Sequence, residues 1–220
     1  MPATDDQLLD TLRDRLYVPV VSDVLDGLGL VHQALDERLR PLAPEMRLVG
    51  RAHTALTADV YERADEPYRL EIASVDSLKP YDVMVASTGR SKRTCFWGEL
   101  LSTASVARGA TGCLIDGYVR DVLRIVAMGF PVFATGIRPV DSSYRSQVVA
   151  YGVPVEVGGV RVTEGDVVFG DYDGVVIIPQ ERLAEVVDLA LAKVEGENHT
   201  RDMLRAGSTL REVYDTFGVL

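Results

Sequence analysis

The chain has 220 residues, 47% of them apolar, which is enough to bury a full core. Its formal net charge of -10 argues against a broad phosphate-binding face, so nucleic acid is not expected as a direct ligand. No apolar run reaches the length of a bilayer, and the acidic, amphipathic N-terminus lacks the regions of a signal peptide. A cytoplasmic protein with reduced Cys95 and Cys113 and no membrane partner is expected.

Two helices are predicted at the start of the chain. Leucines recur at helical spacing after Thr4-Asp5-Asp6, which can cap the first helix; they are Leu8, Leu9, Leu12 and Leu16. The stretch VVSDVLDGLG indicates a second helix that ends at Gly27 or Gly29.

From residue 47 onward, short β-like runs alternate with segments of helical length. The runs are RLVGRAHTALTADV, YDVMVAS, GCLID and PVFATG. The helical segments lie near residues 67–76, 98–109 and 120–129. Strands that alternate with helices predict an α/β fold with at least a partly parallel sheet.

The sequence pattern changes in the last third of the chain. YGVPVEVGGVRVTEGDVVFGDYDGVVIIP alternates apolar and small polar residues, and Gly158-Gly159 suits a two-residue hairpin turn, so antiparallel strands are predicted here. A long helix is expected from Pro179 to about Arg205, and a short helix after Gly207. Because no linker or repeat interrupts the sequence, a single domain over residues 1–220 is predicted.

The stretch FWGELLSTAS places an acid, Glu99, at the beginning of a predicted helix. A helix N-terminus offers unpaired N–H groups and a positive dipole end that can hold a carboxylate. Glu99 is either an acid favoured by that dipole or an active-site acid that positions a water molecule.

The stretch GCLIDGYVRD predicts a buried strand over GCLID and a turn over DGYVRD, which ends in Arg120 and Asp121 and leads into the next helix. In open α/β sheets, ligands bind at the carboxyl ends of strands. Taken alone, however, the pair is better explained by Asp121 as the N-cap of the next helix and by Arg120 in a surface ion pair. The functional alternative is an oxygen ligand for magnesium beside a permanent cation for an enolate or carboxylate.

Several motifs occur together in an order that resembles the RraA-like superfamily. They are WGELL, GATGCLIDGYVRD, GFPVFATG and GGVRVTEGDVVFGDYDGVVIIP, and the resemblance spans roughly residues 18–180. The superfamily includes the metal-dependent 4-hydroxy-4-methyl-2-oxoglutarate aldolases, also called 4-carboxy-4-hydroxy-2-oxoadipate aldolases. The resemblance implies a layered α/β sandwich with a mixed central sheet and a long C-terminal helix, assembled as homotrimers or as hexamers of two trimers.

The resemblance also implies roles for individual residues. In the aldolase members, the Asp of the Arg-Asp pair holds the divalent metal, magnesium or manganese, and this position is Asp121. Arg120 contacts the pyruvyl oxygen that becomes the enolate, and Glu99 positions a catalytic water. The pyruvyl carboxylate lies against the start of the following helix, at Gly98, Leu100 and Leu101.

A further metal contact is implied across a subunit boundary. A glutamate from the C-terminal helix of a neighbouring subunit reaches the metal through water; Glu197 matches it, and Glu195 matches less well. Segment 180–220 is therefore expected to contact a neighbouring subunit. The chain departs from some aldolase members, which carry Asp where it has Glu99, and the extra methylene changes the placement of the water.

Enolate chemistry gives a physical reason for the metal. Cleavage next to a 2-oxo acid leaves a pyruvate enolate, which needs either a Schiff-base lysine or a metal. The lysines, which lie in a loop, in the basic run RSKR and on a polar helix, are Lys79, Lys92 and Lys193. None fits a buried nucleophile, so a magnesium-dependent lyase for a small 2-oxo dicarboxylic acid is expected. The same site would decarboxylate oxaloacetate through the same enolate.

The basic stretch TGRSKRTC has two interpretations. Arg90, Lys92 and Arg93 either form a solvated loop or supply a cation that pairs with the distal carboxylate of a dicarboxylic substrate.

The rival function comes from the same superfamily and is not catalytic. It is a regulator that binds ribonuclease E, and members of that type can lack the Asp after the Arg. This chain keeps Asp121 and the acid at Glu99, which favours the enzyme.

Overall fold

The computed structural model describes residues 3–217 and has the predicted α/β architecture with a mixed sheet. Its strands are β1 (Arg40–Pro41), β2 (Leu48–Asp59), β3 (Asp82–Ser87), β4 (Cys95–Trp97), β5 (Gly112–Val119), β6 (Val132–Ile137), β7 (Ser146–Tyr151), β8 (Val155–Val157), β9 (Val160–Val162), β10 (Val167–Asp171) and β11 (Gly174–Ile178). Within these residues, nine strands form the central sheet, in the order β1-β6-β5-β3-β2-β10-β11, with β4 beside β5 and β7 beside β2.

In the described part of the chain, two helices precede the first strand of the sheet, three lie between strands and two follow the last strand. They are α1 (Asp5–Arg15), α2 (Val18–Gly27), α3 (Arg69–Asp76), α4 (Glu99–Ala107), α5 (Val122–Met128), α6 (Leu183–Arg205) and α7 (Leu210–Phe217). The 23 residues of α6 confirm the long C-terminal helix. Of the segment predicted to contact a neighbouring subunit, residues 218–220 lie outside the described part. Among the described helices, none combines the length and apolarity that a membrane crossing requires.

The middle of the sheet is parallel and its borders are antiparallel. β2, β3, β5 and β6 run in parallel, whereas β1, β7 and β10 pair with them in the antiparallel sense, and β11 pairs antiparallel with β10. The last pair of β5 and β6 joins Val119 to Ile137, so the carboxyl ends of these strands meet at one edge. The loops that begin at Arg120 and Arg138 therefore start side by side.

The short strand β4, which the sequence did not predict, brings a third segment to this edge. Trp97 pairs with Val119, and the backbone N–H of Arg120 donates to the carbonyl of Trp97 at 3.0 Å. Trp97 is 1% exposed and donates from Nε1 to Ser102 Oγ on α4 at 2.8 Å. The pairing fixes the start of α4 next to the end of β5.

Two local predictions about turns are confirmed. Thr4 caps α1 through a capping box in which its side chain and that of Gln7 each accept a backbone N–H of the other residue. Gly158 and Gly159 connect β8 to β9 with φ values of 57° and 82°, the left-handed conformation that a two-residue hairpin turn of this kind requires.

His53 on β2 has a structural role. Its Nδ1 lies 2.8 Å from Glu164 Oε1 and its Nε2 lies 3.1 Å from the carbonyl of Ser74, and both of these partners only accept hydrogen bonds. A ring protonated on both nitrogens would donate to both, and Ser77 Oγ also lies 3.0 Å from Nε2. Burial lowers the pKa of His53, but the hydrogen bond to Glu164, the charges of Glu164 and Asp82 and the carbonyl of Ser74 together outweigh it, so the net pKa lies above the ordinary 6.5.

We expect His53→Gln to cost about 1 to 2 kcal/mol of unfolding free energy at pH 6 and less at pH 9. A raised folded-state pKa stabilises fully below the unfolded pKa of about 6.5, and this stability is lost as the pH rises through the folded value. Urea denaturation at both pH values measures the difference, with the exposed His32→Gln as control. Equal losses at the two pH values would contradict the expectation.

Candidate functional site

A cavity of about 310 Å³ lies where α3, the N-terminus of α4 and the ends of β4 and β5 converge. Five of the predicted site residues line it, and they are Gly98, Leu100, Leu101, Arg120 and Asp121. Residues from three separated stretches of sequence thus meet at one place. The cavity lies at the carboxyl ends of β4 and β5, the position at which open α/β sheets bind ligands, called here the strand-end rule.

Asp121 has an unusual backbone and an unusual partner. It adopts the left-handed conformation, with φ 60° and ψ 28°, which Asp tolerates better than most residues. Its side chain makes no capping hydrogen bond to α5; instead Oδ2 accepts the backbone N–H of Glu99, the first residue of α4, at 3.2 Å. Asp121 thus occupies the predicted N-cap position of α5, but its side chain does not cap that helix.

Gly98 permits this contact because no side chain fits in its place. A Cβ built on Gly98 would lie 2.8 Å from Asp121 Oδ2 and 3.3 Å from Arg120 Cγ. The backbone of Gly98 is extended and needs no glycine for conformational reasons. The glycine is explained by the close approach of the Arg-Asp pair.

Arg120 spans two carboxylates. Its Nη2 lies 3.1 Å from Asp141 Oδ2, and its Nε lies 3.9 Å from Asp121 Oδ2. Asp141 also accepts a hydrogen bond from Tyr68 Oη at 2.6 Å. Burial works against its charge, but the hydrogen bonds from Tyr68 and Ser143 and the charge of Arg120 hold the pKa of Asp141 below its ordinary value. Asp141 thus fixes the guanidinium at the edge of the cavity.

The backbone of Glu99 contacts the site, whereas its carboxylate does not. Its side chain is partly exposed, does not line the cavity, and accepts a hydrogen bond from Thr103 Oγ1 at 3.3 Å. Its backbone N–H bonds Asp121. The following amides, at Leu100 and Leu101, have no carbonyl one turn earlier in the helix, so they present donors at the positive end of α4.

The basic stretch lies away from this cavity. Arg90 and Lys92 line a different, smaller cleft, and Arg93 pairs with Asp59 at 3.6 Å and stacks over the ring of Tyr61 at 4.2 Å. Within one chain, none of the three lines the cavity of Arg120. A pairing with a distal substrate carboxylate stays a prediction without support from this geometry.

Glu197 also lies elsewhere in the chain. It is on α6, where its carboxylate accepts a hydrogen bond from Tyr17 Oη, and it is absent from the cavity lining. Glu195 lies half a turn earlier on the same helix. The expected contact from a neighbouring subunit stays a prediction.

Sequence reasoning missed the wall formed by Tyr68, Glu71, Asp141 and Ser142. Asp141 lies in the loop after β6, so the strand-end rule that selected Asp121 would also have selected it. Glu71 lies inside the predicted helix near residues 67–76, where nothing local distinguishes it from a solvated acid.

The donor set at the cavity fits magnesium or manganese. Among residues 3–217, no group of three or more His, Cys, Asp or Glu side chains could hold a metal by itself. Asp121 Oδ1 has no hydrogen-bond partner within this part, and the side chain is 41% exposed. One carboxylate completed by water and substrate oxygens is a common arrangement for Mg²⁺, whereas structural zinc requires four protein ligands.

A sequence model of the RraA-like family, described as Aldolase/RraA, matches residues 18–177. The chain belongs to the RraA-like family. The matched segment contains all the residues that line the cavity, while Glu197 lies outside it.

Individual relatives of this RraA-like chain differ in name. Protein DlpA of Legionella pneumophila is 28% identical over 197 residues, 90% of this chain but 32% of DlpA, so the chain spans about a third of that relative. A Halalkalibacterium halodurans protein named "Putative 4-hydroxy-4-methyl-2-oxoglutarate aldolase" is 28% identical over 79% of this chain and 77% of its own. Streptomyces coelicolor RraAS2, described as an unusual member of the RNase ES inhibitor RraA family, is 29% identical with a TM-score of 0.80, covering 92% of this chain and 100% of its own.

Proposed function

We propose that the chain is a divalent-metal-dependent carbon–carbon lyase. It cleaves 4-hydroxy-4-methyl-2-oxoglutarate, or a related 4-hydroxy-2-oxo dicarboxylic acid, to pyruvate and also decarboxylates oxaloacetate. The observation that carries the proposal is the convergence of the Asp121 carboxylate, the Arg120 guanidinium and the N-terminus of α4 on one cavity. The likeness to a relative named as such an aldolase supports it.

In this proposal the chain binds the 2-oxo acid at both of its polar groups. The amides of Leu100 and Leu101 bind the carboxylate, because the N-terminus of a helix favours an anion. Arg120 stabilises the negative charge that develops on the 2-oxo oxygen as the carbon–carbon bond breaks. Its ion pair with Asp141 holds the guanidinium in place before the substrate arrives.

Asp121 would hold Mg²⁺ or Mn²⁺, with Glu197 of a neighbouring subunit contacting it through water. When bound, the metal supplies positive charge to the carboxylate and ketone oxygens of the substrate. Glu99 holds the water that accepts the proton of the 4-hydroxyl group, which requires its carboxylate to turn away from Thr103. The assembly is a homotrimer or a hexamer of two trimers.

A second candidate function is non-catalytic binding of a ribonuclease of the E type. The likeness to Streptomyces RraAS2, whose description names RNase ES inhibition, favours it. A pull-down with ribonuclease E separates the two functions. Tight binding without lyase activity would replace the enzyme by the regulator.

We expect pyruvate release from 4-hydroxy-4-methyl-2-oxoglutarate and from oxaloacetate to require a divalent metal. Removal of metal with EDTA should abolish release, and Mg²⁺ or Mn²⁺ in excess should restore it, because the charge on the substrate oxygens is then compensated. A coupled assay that reduces pyruvate measures the rate. Release that continues unchanged in EDTA, or no release with either substrate in folded protein, would contradict the lyase.

A further inference from the structure

In helix α3 an acidic residue is buried and a neighbouring apolar residue is exposed, the reverse of the usual pattern. Glu71 is 8% exposed, whereas its neighbour Ile72 is 54% exposed. Glutamate is almost never buried without a partner, because burial of a carboxylate is costly. Apolar packing does not explain a helix that buries a glutamate and exposes the neighbouring isoleucine, so Glu71 requires another explanation.

Glu71 faces the cavity of Arg120 and has one free oxygen. Its Oε2 accepts a hydrogen bond from Ser142 Oγ at 3.2 Å. Its Oε1 has no hydrogen-bond partner among residues 3–217. This oxygen keeps some solvent exposure, unlike the fully buried unpaired atoms of this part of the chain. Since Glu71 lines the cavity, this oxygen is available to a bound molecule.

The charges around Glu71 favour its neutral form. The other titratable groups that line the cavity are Tyr68, Cys95, Arg120, Asp121 and Asp141. The cation, Arg120, is paired with Asp141 at 3.1 Å. Burial raises the pKa of Glu71 to about 7; the hydrogen bond from Ser142 and the charge of Arg120 oppose this rise, and the negative charge of Asp141 adds to it. Glu71 is thus equipped to hold and to release a proton near neutral pH.

We infer that Glu71 is the acid that protonates C3 of the pyruvate enolate. This inference rests on the proposed lyase function. The O–H bond of Glu71 breaks and a C3–H bond forms with the electron pair of the enolate double bond, so that the C2 ketone is restored and Glu71 becomes a carboxylate. Water then returns a proton to Glu71. The proton of the 4-hydroxyl group leaves separately, through the water at Glu99, and oxaloacetate loses carbon dioxide without a proton.

The reverse step gives a direct test, because the Glu71 carboxylate removes a methyl proton from bound pyruvate. In D₂O with Mg²⁺, the wild type should exchange the methyl protons of pyruvate for deuterium, as followed by NMR. Glu71→Gln should slow the exchange by at least about 100-fold, the lower end of a general acid–base contribution. Carbon dioxide release from oxaloacetate should fall less, because it precedes protonation.

The matched control is Glu66→Gln, an exposed acid just before the same helix. Glu71→Asp, which keeps the acid, should restore part of the exchange. Exchange in Glu71→Gln equal to that in Glu66→Gln would overturn the role of Glu71 and leave the lyase intact. A wild type that neither exchanges pyruvate nor releases it from any substrate would instead overturn the proposed function and this role with it.

The protonation of Glu71 can be measured without metal or substrate, and this measurement distinguishes a role as an acid from a purely structural role. Carbon-13 NMR of glutamate carboxyl groups in the wild type, with the resonance assigned by its loss in Glu71→Gln, should show titration near pH 7. Titration at the ordinary value of 4.5 would overturn the inference, since Glu71 would then hold no proton to donate at neutral pH.

Discussion

Asp121→Ala is expected to lower the kcat/KM of metal-dependent pyruvate release by about 10²- to 10³-fold. A metal that polarises substrate oxygens contributes several kcal/mol, and each 1.4 kcal/mol is about tenfold in rate. The variant removes the carboxylate oxygen that is free to bind a cation, together with the acceptor for the Glu99 N–H. The coupled pyruvate assay measures the loss, with the exposed Asp188→Ala as control.

Asp121→Asn separates the two roles of this side chain. Asparagine is as good a hydrogen-bond acceptor at helix N-termini as aspartate, so it keeps the bond to α4, but it lacks the charge that holds a divalent cation. We expect it to remain as inactive as Asp121→Ala while unfolding at the wild-type temperature. Recovered activity in Asp121→Asn would mean that the carboxylate serves only to hold α4.

Arg120→Lys is expected to lower kcat by about 10²- to 10³-fold, the usual cost of removing one donor from a developing oxyanion. Lysine keeps the positive charge but loses the planar set of donors with which Arg120 bonds Asp141 and faces the cavity at the same time. Steady-state kinetics with oxaloacetate measure the effect. Oxaloacetate has no 4-hydroxyl group, so its decarboxylation reports charge stabilisation at the 2-oxo oxygen without the proton transfer from that hydroxyl.

The control for this variant is Arg124→Lys, which changes an exposed arginine one turn further along. Because Arg120 also fixes the loop of Asp141, a thermal unfolding curve accompanies the kinetics. Arg120→Lys with the activity of Arg124→Lys would contradict a role for the guanidinium in charge stabilisation. Loss of activity with a large loss of stability would attribute the effect to the loop instead.

Sequence alone predicted the part of the site that follows from strand order. GCLID is apolar enough to be a buried strand, but the turn predicted over DGYVRD is wrong for residues 116–119, which continue β5 to Val119. The polar pair after β5 lies at the carboxyl edge of the parallel part of the sheet. The start of α4 was visible because Gly98 precedes a helical run. Both predictions depend on residues that are adjacent in sequence, and the structure brings them together at one cavity.

The rest of the site depends on contacts between distant segments. Glu71 is 49 residues before Arg120, and its side-chain hydrogen bond comes from Ser142 in a distant loop, so helical periodicity could not assign it to the interior. The short strand β4 has three residues, too few for a periodic signal. The capping rule misjudged Asp121 because its left-handed backbone turns the side chain from its own helix to another one.

The bond between Asp121 Oδ2 and the Glu99 N–H joins two chain segments that are otherwise 22 positions apart. A cation bound to the Asp121 carboxylate would withdraw electron density from Oδ2 and weaken its hydrogen bond with the Glu99 N–H. If the proposed cation binds Asp121, the amide resonance of Glu99 should therefore shift, so a spectrum would report binding without any turnover.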